Sequence, residues 1–229
     1  MAHSVSGERP AAGKGHSFVP ALGLDWLTRF YDPLLRLTLR EDAMRRRLVE
    51  QARIAAGMDV LDLGCGTGTQ AILIARLVPG ARVHGLDVDP NVLAIAREKI
   101  AAAGVAVALH EGSAAEPPLP PASFDRVVTT LMLHHLTTDE KRRTLASVRR
   151  LLRPGGELHV ADFGAPSNAL MWLVSQGIRW LDGSDRTEIN LTGRLPQLVR
   201  EAGLPSVEDH GTAMTPFGTL AFFSARGPA

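Results

Sequence analysis

The sequence has a single cysteine, Cys65, and almost no net charge. One cysteine excludes an intramolecular disulfide and any metal site built from several cysteines. A formal net charge of +1 over 229 residues gives no overall field that favours nucleic acid as a partner. The chain also lacks an apolar run of about 18 residues, so we expect no membrane-spanning helix and no integral membrane association.

The N-terminal residues lack the apolar core of a secretory signal. Together with the shortage of cysteine, this predicts a cytoplasmic protein. Residues 1–17 are rich in glycine, serine and alanine, and we expect them to be a mobile tail. Residues 18–229 are predicted to form one domain, because α/β enzymes of this length commonly do.

From Gly57 onward the pattern alternates between short apolar strands and helices. Strands are predicted at 59–63, 82–88, 105–110, 125–132 and 157–163, and helices at 69–78, 90–103 and 139–152. This alternation predicts a parallel sheet covered on both faces. Segments 207–213 and 219–225 are separated by a short turn and predict a closing hairpin, which would make one of seven strands antiparallel.

A glycine-rich loop follows the first predicted strand and precedes a helix. Gly64, Gly66 and Gly68 let a ligand approach the backbone, and the helix start presents free N–H groups. Such a loop also suits NAD or FAD. However, the spacing is G-x-G-x-G, and Asp62 lies two positions before the first glycine. A carboxylate there would repel a pyrophosphate, but it suits a ligand that carries an ammonium group.

Asp87 lies at the carboxyl end of the second predicted strand. An acidic residue at this place in an α/β nucleotide-binding fold accepts hydrogen bonds from ribose hydroxyls. Asp89 has a different explanation, because Pro90 follows it and the pair is typical of a helix N-cap. Asp87 is therefore the better candidate for ligand binding.

These motifs, taken in order, resemble those of the class I S-adenosylmethionine (SAM)-dependent methyltransferases. The resemblance covers residues 41–163 and rests on the segments Asp62–Gly68, Asp87, Glu111–Ala114, Ser123–Val128 and Leu151–Leu158. It implies an α/β fold of the Rossmann-like type, a three-layer sandwich around a mostly parallel seven-stranded sheet. It also implies SAM as the methyl donor and S-adenosylhomocysteine (SAH) as the product.

The resemblance assigns roles to the residues that would bind SAM. Asp62 and Gly64 would hold the methionine moiety, and Asp87 would bind both ribose hydroxyls. Gly66 and Gly68 would line the methionine moiety, in the loop that also contains Cys65. Val88 would pack on the adenine, and Ser113 and Ala114 would contact its amino group. Thr130 and Leu131 would flank the methyl-donor site. Many relatives have an aspartate where this chain has Ser113. Cys65 is expected only to fill a small position in the loop.

In the resembling enzymes an N-terminal lid precedes the sheet, and residues 18–54 correspond to it. Tyr31 occupies the place where a lid tyrosine touches the SAM carboxylate; a packing role is the alternative. His134 and His135 follow the fourth strand, where ligands bind in open α/β sheets. Either histidine could accept a proton or contact the acceptor, and the alternative is that one caps or packs the next helix.

The acceptor is less well defined by the sequence. Residues 164–192 are predicted to be a substrate-side insertion. An apolar pocket there would be lined by Met171, Trp172, Val174, Trp180 and Leu181; an amphipathic helix at the sheet edge is the alternative. We expect a small, moderately apolar acceptor, with a lipid or a quinone among the candidates and no nucleic acid. The methylated atom and the oligomeric state stay open. An NAD(P)-dependent oxidoreductase and a non-catalytic SAM-binding protein are the competing hypotheses.

Overall fold

Residues 41–182 and 184–227 are described by the structure, a computed structural model of the chain. The predictions for the tail at 1–17, for the lid up to residue 40 and for Tyr31 lie outside these residues. The helices are α1 (Glu41–Ala52), α2 (Thr69–Leu77), α3 (Pro90–Ala103), α4 (Thr138–Leu151), α5 (Ala169–Asp182), α6 (Ser184–Leu191) and α7 (Leu195–Glu201). The strands are β1 (Asp59–Leu63), β2 (Arg82–Asp87), β3 (Val107–Glu111), β4 (Phe124–Thr130), β5 (Leu152–Phe163), β6 (Ser206–Thr215) and β7 (Gly218–Arg226).

The seven strands form one sheet in the order β3-β2-β1-β4-β5-β7-β6. Strands β1 to β5 pair in parallel, whereas β7 runs antiparallel to both β5 and β6. The predicted mostly parallel sheet with one antiparallel strand from a C-terminal hairpin is therefore confirmed. The strand order reverses between β1 and β4, and ligands of open α/β sheets bind at such a point.

Helices cover both faces of the sheet, as the strand pattern predicted. On one face, Leu48 of α1 and Ile74 of α2 are buried against Val60 and Val128 of the sheet. On the other face, the buried side chains of α4 and α7 pack with the opposite sides of β1, β4 and β5. The central strands β1, β4 and β5 thus bury both of their sides, which explains why they are apolar runs and not alternating patterns.

Capping residues close the helix ends, and Asp89 is the N-cap that the sequence predicted. The Asp89 side chain accepts a hydrogen bond from the Asn91 N–H, and α3 ends at Gly104 with a positive φ of 64°. Thr137 and Glu140 form a reciprocal capping box at the start of α4. The two N-caps, Asp89 and Thr137, fix where the loops at the carboxyl edge of the sheet end.

One boundary differs clearly from the prediction, because β5 begins at Leu152 and not near residue 157. Leu152 pairs with Phe124, and an irregularity in the register separates this pair from the pairing of Arg126 with Glu157. The Pro154-Gly155 segment is therefore taken up within an interrupted strand. Over the described ranges, no helix is long and apolar enough to cross a membrane.

Candidate active site

The glycine loop is held tightly at the carboxyl ends of β1 and β2. The backbone N–H groups of Gly64 and Cys65 both donate to the Leu86 carbonyl, at 2.8 and 2.9 Å. A Cβ on Gly64 would lie 2.4 Å from Met132 Cγ, so only glycine lets the segment after β4 approach the loop. Gly66 has a φ of 50° and faces open space, with nothing within 4 Å of a Cβ built on it. The loop therefore offers bare backbone to a ligand.

Asp87 lies beside this loop and is already part of its hydrogen-bonding pattern. Its Oδ2 accepts from the Gly66 N–H at 2.8 Å, and its Oδ1 accepts from the Asp89 N–H at 3.1 Å. Burial raises the pKa of the half-buried carboxyl, although these N–H groups oppose the shift. Each carboxylate oxygen has a further lone pair, so Asp87 can accept two additional hydroxyls.

Asp62 lies beneath the loop and is 1% exposed. Its Oδ2 has no hydrogen-bond partner among the described residues. Burial raises the pKa of Asp62 to about 7, although the Arg45 guanidinium and the Ala71 N–H oppose the shift. A buried carboxylate with an unpaired oxygen is costly, and a cationic group would relieve that cost.

Lys99 of α3 is a contributor that the sequence reasoning missed. Its Nζ donates to the hydroxyls of Thr67 and Thr69, both at 2.7 Å, and ties α3 to the loop. No local signal marked Lys99, because it is one of several charged residues on an otherwise ordinary helix.

Cys65 is buried at the base of the loop. A Cβ on Gly85 would lie 2.9 Å from its Sγ, so the thiol fills the space beside that glycine. Burial raises the pKa of the Cys65 thiol, which is the opposite of what a nucleophilic cysteine needs. This environment fits the expectation that Cys65 fills a small position.

The residues expected near the adenine lie next to Asp87. Val88 is 48% exposed, so its side chain is available for packing. The Gly112 N–H donates to the Asp87 carbonyl at 2.9 Å, which brings the turn at Ser113 and Ala114 to the same corner. The Ser113 hydroxyl accepts from the Ala115 N–H at 3.2 Å. The side chain of Ser113 therefore shapes its own turn.

The chain leaves β4 through a strained residue. Leu131 has a φ of 51°, which is uncommon for a residue other than glycine. Its N–H donates to the Ala161 carbonyl at 2.9 Å. The buried hydroxyl of Thr130 has no partner among the described residues. Such backbone strain concentrates at functional sites. Here the next residue, Met132, lies against Gly64 of the glycine loop.

Asp162, at the end of β5, organises the segment that contains both histidines. Its Oδ2 accepts from the Leu133 N–H, and its Oδ1 accepts from His134 Nδ1 and the Phe163 N–H, all at 2.7 Å. Burial acts to raise the pKa of Asp162, but the His134 imidazole and the N–H donors outweigh it and hold the pKa below its usual range. Because a carboxylate only accepts, His134 carries its proton on Nδ1.

The two histidines have different environments. His134 is 4% exposed, whereas His135 is exposed, and their ring centroids are 3.9 Å apart. The structure thus brings His134 together with Asp162, a residue that the sequence reasoning missed. The available signal was a carboxylate inside the apolar run that ends β5, because a buried acid needs a partner.

The side chains of the predicted insertion differ in burial. Met171 of α5 is buried, whereas Trp172 is 59% exposed. The neighbouring Leu170 and Leu173 are each 64% exposed. The side chains at 177–185 lie outside the described residues. Within the described ranges, no group of three or more His, Cys, Asp or Glu side chains is arranged to hold a metal ion.

Comparison with known proteins identifies related sequences and folds. Residues 60–156 match the family model of a methyltransferase domain. Demethylmenaquinone methyltransferase of Thermus thermophilus is 38% identical over 130 residues, which are 57% of this chain and 58% of that enzyme. An uncharacterized methyltransferase of Synechocystis is 33% identical over 170 residues, which are 74% of this chain and 77% of that protein. The matched region thus spans less than two thirds of the Thermus enzyme but more than two thirds of the Synechocystis protein.

Among solved structures, the YcgJ protein of Bacillus subtilis has a similar fold. The TM-score is 0.68, and the similarity covers 82% of this chain and 99% of that chain at 18% sequence identity. This likeness concerns the fold alone.

Proposed function

Because the chain belongs to the class I SAM-dependent methyltransferases, we propose that it transfers a methyl group from SAM to a small, moderately apolar acceptor and releases SAH. The single observation that carries the proposal is the buried carboxylate of Asp62, two residues before the glycine loop, whose Oδ2 has no hydrogen-bond partner among the described residues. A ligand with an ammonium group satisfies it, whereas a dinucleotide pyrophosphate does not. The geometry offers no support for the NAD(P)-dependent alternative.

The donor would be held by residues that are already in place. Asp62 would take the ammonium group, Gly64 and Gly66 would provide close backbone approach, and Asp87 would accept the ribose hydroxyls. Val88 and the turn at 113–114 would border the adenine. SAM, when bound, supplies a methyl group on a sulfonium, which is an activated carbon for in-line displacement.

The protein's part in the reaction is mainly to align the acceptor and to move one proton. Alignment alone contributes much of the rate in a displacement of this kind. We assign the proton acceptor to His135, which is exposed beside the buried pair of His134 and Asp162. His134 would be a positioning residue, because Asp162 fixes its Nδ1–H and the backbone of its segment. Thr130 and Leu131 would border the reacting methyl group.

For the acceptor we propose a hydroxylated aromatic ring of the kind found in quinols. The Thermus relative is a demethylmenaquinone methyltransferase by name, and the exposed side chains near the start of α5 include the apolar Leu170, Trp172 and Leu173. The cytoplasmic location and the absence of a nucleic acid partner stay predictions from the sequence.

The test is turnover with a defined acceptor. We expect the full chain to release SAH from SAM when 1,4-naphthohydroquinone is kept reduced with dithiothreitol, and mass spectrometry should find a methylated product. The Asp87→Ala variant is the control and should lose release. SAH binding without turnover on a broad panel of phenols and quinols would favour a non-catalytic SAM-binding protein. Quenching of NADH fluorescence with no SAH binding would overturn the proposal.

A further inference from the structure

Large apolar side chains are exposed together at the carboxyl edge of the sheet. Leu170, Trp172 and Leu173 near the start of α5 are each more than half exposed. On the turn between β6 and β7, Met214 is 67% exposed and Phe217 is 36% exposed. We refer to these five side chains as the apolar surface. Single exposed apolar residues are ordinary, whereas a group of them marks an interaction site.

Hydrogen bonds join the two parts of the apolar surface. The Asn168 Nδ2–H donates to Met214 Sδ at 3.3 Å, and the Ser167 N–H donates to Thr219 Oγ1 at 3.0 Å. Asn168 also lies at the start of α5, because its Oδ1 accepts from the Met171 N–H at 2.9 Å. The first turn of α5 and the β6–β7 turn are therefore neighbours.

The same two elements adjoin the segment that contains the histidines. Strand β5 ends at Phe163, which pairs with Leu220 of β7, and the Gly164 N–H donates to the Thr219 carbonyl at 2.9 Å. The Phe163 ring packs edge-on against His134, with ring centroids 4.9 Å apart and an interplanar angle of 76°. The apolar surface therefore begins where the chain leaves the strand that supports the buried histidine.

The segments that form the apolar surface contain no charged residue. Charged residues make up 21% of the chain, but residues 163–178 and 211–225 include none. The buried strand β7 accounts for part of the second segment, whereas the first turn of α5 and the β6–β7 turn are exposed. Interfaces between proteins usually surround an apolar centre with a polar rim. A tryptophan among aliphatic side chains without charge is better suited to a lipid bilayer, whose interfacial region favours the indole ring.

We propose that the apolar surface docks on a lipid bilayer, and that docking brings the histidine segment close to the membrane, from which an apolar acceptor enters. The second half of the statement rests on the proposed function. Because the surface has no charge of its own, its binding depends on buried apolar area and not on attraction to anionic headgroups. It should therefore bind zwitterionic and anionic lipids alike.

Flotation of the full chain with dioleoylphosphatidylcholine vesicles tests the docking. We expect half of the protein to be bound at roughly 0.1–1 mM lipid, which is near the strength of one inserted acyl chain. Adding dioleoylphosphatidylserine, or raising the salt concentration, should change this value less than about threefold. No binding at about 5 mM lipid would overturn the proposal, whether a second copy or another part of the chain covers the surface. Binding to anionic vesicles alone would overturn it as well.

Substitutions of exposed leucines test the location. Leu173→Gln should weaken vesicle binding about fivefold or more, since it removes an inserted apolar side chain. Leu77→Gln is the matched control, because Leu77 is also exposed but ends α2, at the opposite edge of the sheet. The control should change binding less than about twofold. Equal losses in the two variants would overturn the proposal.

A fluorescent label reports which part of the chain meets the lipid. Cys65 is the only cysteine and is buried, so a cysteine introduced at an exposed position can be labelled selectively. A nitrobenzoxadiazole dye on Leu173→Cys should shift to shorter wavelength and brighten when vesicles are added. The same dye on Leu77→Cys should not respond. A response at both positions, or at Leu77→Cys alone, would overturn the proposal.

A kinetic measurement separates this proposal from the proposed function. We expect Met214→Gln to raise the KM for a dodecyl-substituted naphthohydroquinone in vesicles about threefold, and to leave the KM for 1,4-naphthohydroquinone in solution within about twofold. Equal changes for the two quinols would overturn the membrane as the source of the acceptor. A chain that passes the vesicle tests but turns over neither quinol and binds no SAH would refute the proposed function while leaving the docking surface intact.

Discussion

The donor half and the acceptor half of the candidate site are built in different ways. The donor half consists of backbone and two carboxylates at the ends of adjacent parallel strands, and hydrogen bonds of 2.8–3.1 Å hold it together. The acceptor half uses side chains from the segment after β4, from the end of β5 and from α5, which are separated in the chain. Local geometry fixes the donor half, whereas the acceptor half depends on which side chains from distant segments meet at the site. The predictions below test this difference.

The largest expected effect is on the donor half. Asp87→Ala removes the acceptor for the Gly66 N–H and the proposed partner of the ribose, so we expect SAH to bind about 100- to 1000-fold more weakly, in line with the loss of two charge-assisted hydrogen bonds. Isothermal titration calorimetry gives the Kd. Asp89→Ala is the control; it removes an N-cap worth about 1 kcal/mol and should change the Kd less than threefold. Equal losses in both variants would mean that Asp87 acts only through the fold.

Asp62→Asn should have the next largest effect. The amide keeps the shape of the side chain but not the charge that would face the ammonium group. We expect SAH binding to weaken about 10- to 100-fold, the range for a hydrogen bond to a charged group. The same measurement with 5′-methylthioadenosine, which lacks the amino acid moiety, should show no difference between the variant and the wild type. A loss for both ligands would contradict the assignment of Asp62.

Asp162→Asn tests the acceptor half. The carboxylate accepts three hydrogen bonds, and an amide in its place would turn an N–H group toward another donor. We expect the free energy of unfolding to fall by about 2 kcal/mol and turnover to fall at least 10-fold, with a change in its pH profile. The Kd for SAH should stay within threefold. A large loss of SAH affinity would show that the two halves are not separable.

The smallest effect is a pH dependence from Asp62. Because burial raises its pKa to about 7 in the folded chain, the free protein is mostly protonated there at pH 6 and ionised at pH 7.5. An ammonium ligand prefers the ionised form, so SAH should bind five- to tenfold more tightly at pH 7.5 than at pH 6, by linkage. Asp62→Asn should remove this dependence.

The same group affects stability with a definite sign. A carboxyl with a raised folded pKa favours the folded state below its unfolded pKa of 3.8. This stabilisation is lost as the pH rises toward 7. Thermal unfolding in the absence of ligand should therefore show a decline over this range that Asp62→Asn flattens. A wild-type Tm that rises between pH 5 and pH 7 relative to the Tm of Asp62→Asn would contradict the burial of Asp62.

The sequence predicted the structure best where a turn or a cap requires particular residue types in a short motif. The glycine loop, Asp87 and the Asp89-Pro90 cap are short motifs whose residue types are required by the turns they form. The alternation of apolar strands and helices likewise predicted the mostly parallel sheet and its antiparallel hairpin, whereas the strand order comes from the structure. The early start of β5 was missed because Pro154 and Gly155 normally interrupt a strand.

The acceptor half was less predictable because it depends on contacts between distant segments. Asp162 was read only as part of a strand, and its pairing with His134 joins residues 28 positions apart. Trp172 was expected in a pocket on hydrophobicity alone and is exposed. The domain division at 18–229 and the role of Tyr31 stay predictions.

The most direct test of the central claim is calorimetric titration of SAH into the full chain at pH 7.5. If the buried Asp62, the glycine loop and Asp87 form a binding site for the methyl donor, one SAH molecule should bind per chain with a Kd in the micromolar range. A folded chain that takes up no SAH under these conditions would contradict the claim.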